Sequence, residues 1–83
     1  MARYELKLKP TVAKDLRGTP KADVQRILER IESLREDPRP SGVEKLSAQE
    51  RYRVCQGNYR IVYSVTDAEL IVELVRVGHR RDV

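Results

Sequence analysis

A single cysteine, Cys55, and a single histidine, His79, stand in 83 residues that contain no tryptophan and no phenylalanine. One cysteine closes no internal disulfide, which excludes the stapled scaffolds of oxidising compartments. One histidine and one cysteine are too few for a conventional structural zinc site. No metal or cofactor is expected. Hydrophobic runs are short, and none approaches the roughly 20 apolar residues of a membrane span. The opening "MARYELKLKP" alternates charged and apolar residues and lacks the unbroken apolar stretch of a signal peptide. The expected location is cytoplasmic, with no membrane partner. Internal repeats and low-complexity segments are also missing. The length fits one domain, residues 1–83, without room for a second core. A chain of this size buries about 60–65% of its surface on folding, so a site is expected in a surface groove rather than a deep cavity.

What the chain has is basic charge. Seventeen Lys and Arg residues stand against thirteen Asp and Glu, a formal net charge of +4 and a pI near 9.5. That balance favours an anionic partner, nucleic acid being the commonest.

Residues 3–9, "RYELKLK", alternate with period two, placing Tyr4, Leu6 and Leu8 on one face of a half-buried strand. Pro10 suits a first helical turn, Val12, Ala13 and Leu16 supply a short apolar face, and Gly18 ends it. A second helix is expected with Thr19 as N-cap and Pro20 in the first position. Its apolar stripe is Val24, Ile27, Leu28, Ile31 and Leu34, and Asp37-Pro38 stops it. The mixed charges of its other face, Arg26, Glu29, Arg30, Glu32 and Arg35, read as a solvated surface. "PRPSGVEKL", 38–46, reads as a connection. Strands are expected at 51–56, 59–65 and 70–77, joined as a meander. The fold class is α+β: an N-terminal strand, a two-helix hairpin, then a three-stranded antiparallel meander, with the helices on one face of the sheet.

"RYRVCQGNYRIVYSV", 51–65, gives the sheet its two sides. Gly57-Asn58 tolerates positive φ and suits a two-residue hairpin turn. Gln56 then faces Tyr59, Cys55 faces Arg60 and Arg53 faces Val62, and facing residues share a side. Arg51, Arg53, Cys55, Arg60 and Val62 fall together; Tyr52, Val54, Tyr59, Ile61, Tyr63 and Val65 form the core side. A tight turn at Asp67-Ala68 would add Leu70, Val72 and Leu74 to the core side and set Glu73 diagonally from Arg60 as a pairing partner. Arginines gathered in this way, with Arg76, His79, Arg80 and Arg81 following at the chain end, present planar donor forks suited to phosphate. Glu44, Glu50 and Glu73 are the acids that would make the same face an ordinary neutralised surface.

The segments "LSAQERYRVCQGNYRIVYSV" (46–65) and "VELVRVGHRRDV" (72–83) resemble the RelE/ParE superfamily of toxins from type II toxin–antitoxin modules, and the RelE branch in particular. The resemblance spans nearly the whole chain. It implies an endoribonuclease (an mRNA interferase) that enters the ribosomal A site and cuts messenger RNA by attack of the ribose 2′-hydroxyl on the adjacent phosphate. Such chemistry needs a base, an acid and cations around a crowded phosphorane. Carried onto this chain, Arg60 in "NYRIVY" and Arg80 in "VGHRRD" match the arginines beside the scissile phosphate. Arg53 matches a basic groove position, and Arg51, Arg81 and Lys45 are further candidates for RNA contact. His79 is the one side chain with an ordinary pKa near neutrality and stands as candidate general acid or base.

Two departures from the pattern bear on activity. Cys55 occupies a position that is usually Lys or Arg in the family, and the tyrosine that usually follows "RRDV" is missing. Either the protein works without that tyrosine, or the chain is trimmed, or cleavage is attenuated. The alternatives that share the fold are a ParE-like toxin that disables DNA gyrase by binding, and a cleavage-weak toxin acting mainly in an antitoxin complex. The resemblance also implies a cognate antitoxin, messenger RNA on the ribosome, and operator DNA reached only through the antitoxin.

Overall fold

The N-terminal alternation becomes strand β1 (Glu5–Leu8), and Pro10 opens helix α1 (Pro10–Arg17) as its first residue. Helix α2 (Lys21–Ser33) follows, then β2 (Glu44–Leu46), β3 (Arg51–Gln56), β4 (Tyr59–Thr66) and β5 (Ile71–His79). The computed structural model describes residues 3–46 and 51–81. Glu50, one of the acids weighed above, lies outside them.

The strands form one sheet in the order β1-β5-β4-β3-β2. The meander β3-β4-β5 is antiparallel as expected, whereas β1 joins β5 in parallel, Leu6 facing Val72 and Leu8 facing Leu74. The connection from β1 to this parallel neighbour runs through both helices and then β2, β3 and β4, well beyond the dozen or so residues that a parallel pair requires. β2 lies inside the stretch read as a connection. Three residues with a lysine at their centre carry no alternation signal, and pairing with β3 alone makes them a strand.

Twelve residues form the buried cluster: Val12, Ile27, Ile31 and Leu34 from the helices and the turn after α2, and Tyr52, Val54, Ile61, Tyr63, Val65, Val72, Leu74 and Val77 from the sheet. All eight sheet members share one side. Leu28 and Leu8 project outward instead, at 44% and 48% exposure. Helix α2 begins one residue later than expected, and Thr19 caps nothing: its hydroxyl donates to the Asp15 carbonyl at 2.9 Å, binding the interhelical turn to α1.

The β4–β5 connection differs from the expected tight turn. Thr66 pairs with Ile71, so four residues, 67–70, form the turn. Leu70 leaves the core side, adopting φ 54° in the left-handed region and remaining exposed. Because the slip is two residues, an even number, Val72 and Leu74 keep their expected side. The Glu73–Arg60 pairing is lost, since Glu73 faces Ser64 and Arg60 faces Gly78.

Asp67 holds this turn. Its carboxylate accepts from Arg39 Nη1 and Nη2 at 3.1 and 2.7 Å and from the Tyr4 hydroxyl at 2.7 Å. Arg39 also donates through Nε to the Tyr52 hydroxyl at 2.9 Å. Arg39 and then Tyr4 hold the Asp67 carboxyl below the usual aspartate range. A depressed folded pKa stabilises above the unfolded value, about 3.9, and that contribution is lost as pH falls through the lower folded value. Burial pushes the Tyr63 hydroxyl up to about 12. Its contribution is present below the unfolded tyrosine value, about 10, and disappears as pH rises toward the folded one. Circular-dichroism melts across pH should therefore show a plateau falling at both ends. The deficit of Asp67→Asn relative to wild type should shrink below about pH 4; a constant deficit at every pH would refute the assignment.

Candidate phosphate-binding face

Strand register decides which basic side chains meet. Cys55 faces Arg60 and Arg53 faces Val62, both as expected, and Arg51 faces Ser64. On the far side of β4, Gly78 faces Arg60 and Arg76 faces Val62. Arg51, Arg53, Arg60 and Arg76 thus share the side of the sheet opposite the hydrophobic cluster. Arg53 and Arg60 are diagonal neighbours, a relation that places side chains about 7–8 Å apart at their bases.

These arginines are not equivalent. Arg53 is held by Glu44 across the β2–β3 ladder, donating through Nε at 3.0 Å and again through Nη2 to the same carboxylate oxygen. Arg76 reaches Asp15 only at 3.9 Å. Arg60 is half-buried, and its Nε is sealed from solvent without a hydrogen-bond partner among the described residues. A guanidinium donor withheld from both water and protein is costly, and an anion received in its fork would offset that cost. Gly78 opposite it presents no side chain, and Cys55 on the other flank is small, exposed and free.

The hairpin turn brings the chain end to the same place. Gly57 takes φ 60°, the left-handed conformation that the Gly-Asn pair was read to supply. The Arg80 N–H donates to the Asn58 carbonyl at 2.8 Å, fixing Arg80 beside the turn from which Arg60 departs. Arg81 follows in an exposed turn.

Two candidates fall on the other side of the sheet. His79 faces Tyr59, its ring edge-on to the tyrosine at 5.6 Å between centroids. With Tyr59, Asp15, Gly18 and Thr19, and with Arg76 and Gly78 at the sheet edge, it lines a groove of about 360 Å³. Its Nδ1 accepts from the Arg81 N–H at 3.3 Å. Lys45 faces Tyr52 and so also lies on the helix-bearing side. Adjacent strand positions point to opposite faces, which separates His79 from Gly78 and Lys45 from Glu44. Proximity in sequence had grouped His79 with the arginines; register sets it on the other side from Arg51, Arg53 and Arg60, and only Arg76, at the sheet edge, shares its groove.

Sequence reading named Arg76 only as a further base at the chain end and did not place it opposite Val62. The only signal would have been a bulge in β5, which leaves no mark in composition. Val62 pairs with Arg76 while Tyr63 pairs with Leu74, so Val75 is the extra residue.

Residues 6–83 match the family described as ParE toxin of type II toxin–antitoxin system, parDE. No curated protein sequence matches significantly. Among solved structures, the archaeal RelE–RelB complex from Pyrococcus horikoshii is similar with a TM-score of 0.85 and 30% identity, covering 98% of this chain and 99% of that one. The toxin–antitoxin complex RelBE2 from Mycobacterium tuberculosis has a TM-score of 0.83 at 23% identity, covering 94% and 99%. An arginine-to-alanine double variant of E. coli toxin RelE in the free state has a TM-score of 0.80 at 24% identity, covering 99% and 87%. The chain, by its family match across nearly its full length and by its fold, belongs to the RelE/ParE superfamily of type II toxins.

Proposed function

We propose that this toxin is a ribosome-dependent endoribonuclease that cleaves messenger RNA in the A site, held inactive by a cognate antitoxin. The observation that carries the reading is Arg60: a half-buried guanidinium with a sealed, unpartnered Nε, beside the turn that anchors Arg80. In the proposed reaction the ribose 2′-oxygen bonds to phosphorus as the bond to the 5′-oxygen breaks. A 2′,3′-cyclic phosphate and a 5′-hydroxyl end result. Arg60 and Arg80 would neutralise the equatorial oxygens of the phosphorane. Arg51, Arg53 and Arg81 would bind the flanking backbone. His79 would serve in proton transfer only after its ring leaves Tyr59, so the arginines bear the weight of the proposal.

A second reading is favoured by the family match itself, which is to the ParE description: inhibition of DNA gyrase by binding. The antitoxin belongs to both readings, because the similar archaeal structure is a RelE–RelB complex. One experiment separates them. The toxin is expressed without antitoxin, and messenger RNA ends on ribosomes are mapped beside gyrase-dependent DNA breaks. The expected result is 2′,3′-cyclic phosphate ends at A-site codons without DNA breaks; breaks without such ends would replace the first reading by the second.

A further inference from the structure

β1 covers the outer edge of β5 only as far as Leu74, where the Lys9 N–H donates to the Leu74 carbonyl at 3.0 Å. β5 continues to His79, and from Val75 onward no strand among the described residues pairs with that edge. Bare edge groups need partners. Helix α1 supplies them with side chains: the Thr11 hydroxyl donates to the Val75 carbonyl at 2.7 Å, and the Val77 N–H donates to Asp15 Oδ2 at 3.0 Å. Thr11 and Asp15 are four residues apart and so occupy one helix face. Val75 is the bulge residue. Without the bulge, Val62 would face Val75 and Ile61 would face Arg76, driving a charged side chain into the core and Val77 out of it. The bulge is what puts Gly78 opposite Arg60 and carries the chain round to the Arg80–Asn58 contact.

We infer that Thr11 and Asp15 are positioning residues of the cleavage site, acting as a side-chain substitute for a missing strand. They hold the bulge at Val75 and thereby set Arg80 against Arg60. Neither is assigned a contact with RNA. The link to cleavage rests on the proposed function; the structural part stands independently of it.

The test uses the full chain in four variants. Thr11→Val and Asp15→Ala remove the donor and the acceptor, while Thr11→Ser and Asp15→Asn retain them, the latter without the charge. Amide hydrogen exchange is read residue by residue, and cleavage is measured on ribosomes programmed with a defined messenger RNA. The expected result is exchange at 76–80 faster by about tenfold or more in the two disabling variants, with protection elsewhere unchanged. kcat should fall by roughly ten- to a hundredfold with KM within about twofold, the signature of lost transition-state alignment rather than lost binding. Both conservative variants should restore exchange protection and kcat. Unchanged exchange at 76–80 would overturn the inference, as would loosening throughout the protein or a rise in KM alone. Wild-type toxin that cleaves nothing on ribosomes would instead refute the proposed function, and the exchange pattern would still decide whether the two side chains hold the bulge.

Discussion

Arg60→Ala is expected to abolish ribosomal cleavage while leaving the fold intact. The side chain makes no hydrogen bond or ion pair among the described residues, and its Nε is sealed without a partner. Its removal therefore breaks no hydrogen bond or ion pair among the described residues, and the cost to the fold is limited to the packing of its aliphatic stem. The phosphorane, in contrast, would lose a donor fork placed where its charge develops. Loss of one such donor typically lowers kcat by about 10²–10³-fold. Arg60→Lys should recover only part of the rate, because an ammonium offers a point charge in place of a planar fork. Arg53→Ala gives the contrast. That guanidinium is already engaged by Glu44, so the expected effect is smaller and lies mainly in RNA affinity. Single-turnover cleavage on programmed ribosomes, beside thermal melts, measures all three. Full activity in Arg60→Ala would remove the proposed site.

Tyr63→Ala should be the most damaging substitution for stability. The ring is fully buried between two strands, facing Leu74 on β5 and stacked on Tyr52 of β3 at 5.8 Å. Its hydroxyl donates to the Pro38 carbonyl at 2.6 Å, tying the connection after α2 to the middle of the sheet. Truncation leaves a cavity and strands that carbonyl, a loss of about 3–5 kcal/mol. A chain of this length has roughly 4–12 kcal/mol of total stability, so the variant would forfeit from about a quarter of it to all of it. Tyr63→Phe separates the two contributions by keeping the ring and losing the hydrogen bond, at about 1–3 kcal/mol. Urea titration followed by circular dichroism gives both values. A loss below about 1 kcal/mol for the alanine variant would mean that the ring fills space the core can close.

The antiparallel hairpin at Gly57-Asn58 was legible because three independent signals agree. The turn pair tolerates positive φ, the apolar residues alternate on both arms, and each arm places its arginines on the same parity. The helices were legible from spacing, although the cap on α2 was not: Thr19 had two acceptable uses, and packing against α1 selected the bond to Asp15. β2 escaped notice because three edge residues owe their strand geometry to a neighbour. For the site, parity carried Arg51, Arg53, Cys55 and Arg60 correctly to one side, whereas the pairing of Glu73 with Arg60 was misjudged and the side taken by His79 was not read at all. Both follow from β5, whose turn is longer than expected and whose register is broken at Val75.

The amino-acid sequence by itself determined the two helices, the hairpin and the sidedness of β3 and β4, since these depend on contacts between residues close in the chain. Only the tertiary structure decided that β1 lies parallel to β5, that Glu44 occupies Arg53 while Arg60 keeps no partner among the described residues, and that His79 lies on the other side of the sheet from Arg51, Arg53 and Arg60. Period-two patterning states which residues belong together within a strand. It cannot count the residues in a turn or announce a bulge, and in a sheet one extra residue reverses every side chain beyond it.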